Sequence, residues 1–149
     1  MSVIAWDGKT LAADRMATAG CMRKTATKIF KLESGEVLAF SGIVEQALVL
    51  MAWFKDGQDP AKWPAFQRKD GDDWTIMVVA YEVDELFTYQ QEPVAQPVED
   101  PYMAWGEGRE FAMGAMAMGA NARLAVEVTS RLCVSCGQGV DAFDLSAKP

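Results

Sequence analysis

The 149-residue chain contains no histidine, which removes the commonest general base, Ser–His–Asp triads and His-ligated zinc together. Catalysis here has to run on Ser, Thr, Cys, Lys, Asp, Glu or a terminal amine. The opening pair Met1-Ser2 supplies the last of these. A small residue in second place leads to the expectation that Met1 is trimmed off, leaving Ser2 with a free α-amine beside its own hydroxyl. An α-amine of pKa about 7.7–8.0 is a serviceable base near neutrality. It can activate an adjacent hydroxyl nucleophile where no imidazole exists. Alone, the pair is a weak signal, because many proteins begin Met-Ser.

The other reactive residues are the three cysteines, Cys21, Cys133 and Cys136. An odd number without a secretory leader points to reduced thiols. Cys133 and Cys136 form one C-x-x-C, which offers two ligands where structural zinc takes four. A redox motif should open a helix after a strand, but Gly137-Gln138-Gly139 follows at once. Two small residues in a strand or turn are the favoured reading. The sequence therefore calls for no metal and no cofactor.

Charge narrows the partners. Fourteen basic against twenty-one acidic residues give a net charge of −7, which disfavours nucleic acid. The densest basic patch, Arg23, Lys24, Lys28 and Lys31, is interrupted by Thr and apolar residues. The longest uncharged stretch, residues 111–122, is far short of the roughly 20 residues that span a bilayer. A soluble protein with no membrane partner, cytoplasmic or carried within a larger assembly, is expected.

These residues need a scaffold, and the patterning supplies one. Half the chain is hydrophobic, enough for one core, so residues 1–149 are read as a single domain. Residues 3–6 and 10–14 read as strands around Asp7-Gly8, a dipeptide suited to a tight hairpin. Residues 27–32 and 36–40 form a second pair about Glu33-Ser34-Gly35. Ser41-Gly42 leads into a helix over residues 43–54, with Val44, Ala47, Leu48, Met51 and Ala52 on its apolar face. Residues 57–73 read as a turn-rich loop ending in a solvated charged run from Arg68 to Asp73. Residues 74–80 form an apolar run expected to be a buried central strand, and 81–90 continue as a hairpin or meander. Pro93, Pro97 and Pro101 mark an edge or irregular segment, followed by a short strand over 102–105. Residues 111–132 read as two helices broken near Gly119, with Met113, Met116 and Met118 as core filler, and the tail carries a last strand. Strands, helix, strands, helices, strand is the order of a layered α+β fold.

Taken singly, Asp14 suits a turn cap, Lys28 a solvent-facing strand position and Gly42 a strand-to-helix hinge. Taken together they carry a resemblance. The segment from Ser2 through Ala12-Ala13-Asp14-Arg15 to Gly20 resembles the opening of a proteasome β-type subunit. Thr25-Ala26-Thr27-Lys28-Ile29 resembles the segment with that family's lysine, and Ala39-Phe40-Ser41-Gly42 its oxyanion glycine. Gly106-Glu107-Gly108-Arg109 resembles its Gly-Ser-Gly signature before an alanine-rich helix. The likeness spans essentially residues 2–141 and is closest to small bacterial, HslV-type members.

The resemblance implies a four-layer αββα sandwich of the Ntn-hydrolase class, with two antiparallel sheets between helices. It further implies a homo-oligomer, in a ring or an open helical assembly, that hydrolyses amide bonds of peptide or unfolded polypeptide substrates, with room for an unfoldase partner. Carried over by position, Ser2 is the nucleophile and its amine the base. Lys28 lowers the pKa of the hydroxyl or amine, Asp14 holds Lys28 and the terminus, and the Gly42 N–H receives the oxyanion. Three supporting positions depart from the pattern: Glu107 replaces a serine, Cys133 an aspartate and Cys136 a hydroxyl. These departures favour the alternative, a catalytically inactive structural or assembly subunit. A small-molecule amidase of the wider class ranks last.

Overall fold

The computed structural model describes residues 2–68 and 74–146. Its elements follow one another as β1 (Ile4–Trp6), β2 (Thr10–Asp14), β3 (Met16–Ala19), β4 (Met22–Thr25), β5 (Ile29–Lys31), β6 (Val37–Ser41) and α1 (Val44–Lys55). After two short 3-10 turns come β7 (Ile76–Glu82), β8 (Glu85–Tyr89), β9 (Gln96–Pro97), β10 (Met103–Trp105), α2 (Arg109–Ala117), α3 (Ala122–Leu132) and β11 (Val140–Asp144). Met1, whose removal the sequence suggests, lies outside the described residues, as do residues 69–73 of the charged run.

The strands assemble into a four-stranded sheet, β10-β1-β2-β11, and a five-stranded sheet, β5-β6-β7-β8-β9, every pairing antiparallel. The period of two in each strand sorts side chains between layers. Ile4, Trp6, Leu11 and Ala13 of the first sheet meet Val37, Ala39, Val78 and Ala80 of the second in a core between the sheets. The alternate residues Val3, Ala5 and Ala12 turn outward onto Ala112, Met116, Ala122, Ala125 and Val126 of α2 and α3. Leu38, Phe40, Met77 and Val79 likewise turn outward onto Leu50, Trp53 and Phe54 of α1. The product is the expected αββα stack. Alanines on the outer face of the first sheet let α2 and α3 approach closely, whereas the other face is filled by aromatics. There Trp53 meets Trp63 edge-on at 4.7 Å and Tyr89 at 5.6 Å.

Turn chemistry closes the elements. Gly8 adopts φ 97° in the β1–β2 turn. Asn121 caps α3 by accepting from the Leu124 N–H at 2.9 Å, after the break at Gly119. β7 is an interior strand of its sheet, and Pro97 sits in the edge strand β9.

One hairpin goes unread in the sequence, and two expectations need correction, the first being Met118, which is 89% exposed rather than core filler. The β3–β4 hairpin is not visible in the hydrophobic pattern, because every residue of β4 is exposed and nothing alternates. On α1, Leu50, Trp53 and Phe54 are the buried residues, while Val44 and Leu48 are about half exposed. The helix is apolar nearly all round, so residue bulk rather than periodicity decides which side is packed: burying two large aromatics outweighs burying Val44 and Leu48.

Candidate active site

The site forms where the open ends of the two sheets meet. β1 is central in its sheet, and Val3, just before it, is fully buried, so residue 2 is drawn inside; Ser2 is only 2% exposed. Two glycines make room for it. The Gly108 N–H donates to the Ser2 carbonyl at 3.2 Å. Gly106 turns with φ 96° directly against that carbonyl.

Asp14, at the end of β2, organises the surroundings. Its carboxylate is fully buried. Oδ1 accepts from the Val3 N–H at 3.1 Å and from Lys28 Nζ at 2.7 Å. Oδ2 accepts from the Gly137 N–H at 3.1 Å and the Met16 N–H at 3.4 Å. Four donors around one buried carboxylate satisfy the demand that a desolvated charge be paired and hydrogen-bonded. They also tie the backbone beside Ser2, the ammonium and the loop after α3 to one point. Lys28 just precedes β5, and its carbonyl accepts from the Phe40 N–H at 3.0 Å, which fixes it across from the end of β6. Its side chain is 10% exposed.

Ser41 ends β6, and its hydroxyl meets the nucleophile candidate: Ser2 Oγ donates to Ser41 Oγ at 2.7 Å within the protein. Sequence reading passed over Ser41. The signal available was a hydroxyl residue immediately before Gly42 at the end of a buried strand. Gly42 follows with φ 142°, and a Cβ there would lie 2.5 Å from Thr75 Oγ1 and 2.9 Å from Thr75 Cα. Only glycine fits such a position. Thr75, also missed, accepts from the Ile43 N–H at 3.2 Å and donates to Gln46 Oε1 at 2.8 Å, which fastens the start of α1.

Ser2, Lys28 and Gly42 share the wall of one cavity of about 240 Å³, which is otherwise mostly apolar apart from Thr18 and Thr27. Phe30, Phe40, Ala47 and Leu48 line it. The half-exposed side of α1 is therefore the side that borders this cavity.

The three departing positions fall differently. Glu107 is exposed and forms no side-chain hydrogen bond or ion pair among the described residues. Cys133 is partly buried and ends α3. Cys136 is buried, and its would-be neighbour at Gly108 is so close that a Cβ there would lie 3.0 Å from its Sγ. Desolvation foremost, then the Asp14 carboxylate, then the hydrogen bond to Cys133, push the Cys136 thiol up to about 12. It is held as a neutral thiol. All three cysteines are free, and no cluster of potential metal ligands occurs among the described residues. No described helix is long and apolar enough to cross a membrane.

No family model and no curated protein sequence matches the chain. Solved structures do match. HslV from Trypanosoma brucei superposes with a TM-score of 0.69 at 19% identity, covering 95% of this chain and 97% of that one. Thiobacillus denitrificans BPH in complex with epoxomicin gives 0.71 at 18% identity over 98% and 99%. Anbu, described as an ancestral β-subunit, from Yersinia bercovieri gives 0.68 at 14% identity over 96% and 80%. The chain has the proteasome-type Ntn-hydrolase fold shared with HslV and Anbu.

Proposed function

We propose that the protein is an N-terminal-nucleophile peptidase subunit in which Ser2, exposed by loss of Met1, attacks peptide amide bonds. The observation that supports this most is the Ser2–Asp14–Lys28 arrangement at the mouth of an apolar cavity. A nearly buried lysine held 2.7 Å from a fully buried carboxylate, beside a serine at the head of a central strand, is an expensive arrangement for structure alone. The likeness in fold to HslV and to an epoxomicin-bound protein supports the same reading.

The chemistry follows from the residues. The free amine of Ser2 takes the Oγ proton as Oγ bonds to the substrate carbonyl carbon. Lys28, paired with Asp14 at 2.7 Å, favours the developing alkoxide through its charge. The tetrahedral oxyanion is received by the Gly42 N–H, a donor worth about 2.7–4 kcal/mol where such roles have been measured. The protonated amine then passes its proton to the leaving nitrogen as the C–N bond breaks, giving an ester on Ser2 and a free amine product. Water, deprotonated by the same amine, hydrolyses the ester and restores both groups. Phe30, Phe40 and Leu48 favour a substrate with an apolar side chain next to the scissile bond. Self-association into a ring or an open helical array belongs to this reading, with sedimentation velocity as its test.

A second reading, an inactive assembly subunit of the same fold, is favoured by Cys136, a neutral thiol where the resemblance expects a supporting hydroxyl. Intact mass and N-terminal sequencing of the purified protein separate the two. An exposed Ser2, followed by stoichiometric labelling with an epoxyketone that Ser2→Ala abolishes, is the expected result. Retained Met1, or an exposed Ser2 inert to the probe, favours the inactive subunit.

A further inference from the structure

We propose that Ser41 is a positioning residue for the nucleophile, a part the fold resemblance does not assign to any residue before Gly42. The inference rests on the peptidase reading and deepens it. Serine lacks the second substituent on Cβ that makes threonine stiff at χ1, so a serine nucleophile is free to occupy three staggered wells. Here the missing restraint is supplied from across the site: the Ser2 and Ser41 hydroxyls lie 2.7 Å apart, both in buried residues. Ser41 is itself fixed by the β6–β7 ladder, where it stands opposite Ile76. It is also the residue immediately before Gly42, so one strand end sets both the nucleophile's rotamer and the oxyanion donor.

The hydroxyl pair also permits the proton movement that the reaction requires. At rest Ser2 Oγ–H donates to Ser41 Oγ. A hydroxyl hydrogen rotates freely and each oxygen can also accept. When the Ser2 proton turns to the α-amine, Ser41 reverses its role and donates to Ser2 Oγ. Ser41 neither gains nor loses a proton over the cycle. It keeps Oγ at the cavity mouth while Oγ exchanges one partner for another.

The test is the labelling rate with a peptide β-lactone, resolved into binding and inactivation constants. Ser41→Ala should lower the inactivation rate by about three- to tenfold, the lower figure being dilution over three rotamers alone. Probe binding should be unchanged, and Ser41→Thr, which keeps a hydroxyl, should restore the rate. In a Ser2→Thr background the same Ser41→Ala change should have less than about a twofold effect, because the β-branch now restrains χ1. An unchanged rate in Ser41→Ala, or an equal loss in both backgrounds, overturns the proposal. Should the unsubstituted protein not react at all, the peptidase reading fails. The crystal structure of Ser41→Ala then still decides the positioning role: several Ser2 rotamers support it, and one unchanged rotamer overturns it.

Discussion

The carbonyl oxygen of Ser2 occupies the space that a side chain on Gly106 would need. A Cβ on Gly106 would lie 2.1 Å from that oxygen and 2.7 Å from its carbon, while φ stands at 96°. Gly106→Ala therefore forces residue 2 to move and also strains its own backbone, a cost of about 1–3 kcal/mol before the clash is counted. Gly20 provides the control, since it too has positive φ (62°) but its Cβ would meet nothing within 4 Å. Gly106→Ala is expected to abolish covalent labelling of Ser2 and to lower the urea midpoint, whereas Gly20→Ala lowers the midpoint slightly and leaves labelling intact. Equal labelling of the two variants would show that the position of residue 2 does not depend on Gly106.

Asp14 and Lys28 are unequal partners, and their substitutions should separate stability from chemistry. Without Lys28, Asp14 still accepts from the backbone N–H groups of Val3, Met16 and Gly137. Without Asp14, three backbone donors and a nearly buried ammonium lose their acceptor together. Breaking a buried pair in this way typically costs about 3–5 kcal/mol. Asp14→Ala should reach that range in chemical denaturation. Lys28→Met should cost clearly less, yet reduce probe labelling by at least as large a factor. The reverse order of stabilities would mean that Lys28, not Asp14, carries the structural burden.

How much of this was legible beforehand depended on periodicity. β1, β2, β6 and β7 alternate between two buried layers or run continuously apolar, so their positions could be read, whereas the αββα layer order rested on the family resemblance. The turn glycines mark boundaries by conformational need. The β3–β4 hairpin gave no signal because its β4 residues are all exposed. The packed side of α1 was misjudged because its apolar residues encircle the helix, and two aromatics settle the matter only in three dimensions. At the candidate site, Asp14, Lys28 and Gly42 stand out only through the resemblance of their segments to a proteasome β-type subunit, since each has an ordinary structural reading alone. Ser41 and Thr75 were missed because hydroxyl residues are common, and only the meeting of β6 with the start of β1 makes Ser41 special.

Alkaline pH should weaken the fold through Cys136. Its folded-state value of about 12 lies above the usual thiol range near 8.5. A group whose pKa is raised by folding contributes fully below the unfolded value and loses that contribution as pH rises toward the folded one. Stability measured by urea titration should therefore decline between about pH 8.5 and 12. Tyr81, pushed up to about 12 mainly by burial, adds to the same decline from the unfolded tyrosine value near 10 upward. Cys136→Ser, which removes the thiol, should flatten the lower part of the decline. At pH 8 an alkylating reagent should modify the exposed Cys21 first and Cys136 only on unfolding. Rapid alkylation of Cys136 in the folded protein would contradict its assignment as a buried neutral thiol.

Substrate preference should be adjustable at Leu48 without disturbing the fold. Leu48 is 50% exposed and lines the cavity beside Ser2 and Gly42, so little core packing depends on it. A carboxylate there would face a side chain entering a mostly apolar space, and placing an apolar group beside a desolvated charge is unfavourable. Leu48→Glu is expected to leave Tm within about 2 °C, as for surface substitutions generally. It should depress cleavage after leucine or phenylalanine by about tenfold and favour peptides with lysine or arginine at that position, through charge pairing in a partly closed site. A fluorogenic peptide panel differing only in the residue before the scissile bond measures this directly. An unchanged preference profile with intact activity would place the substrate side chain elsewhere and remove the cavity from the proposed mechanism.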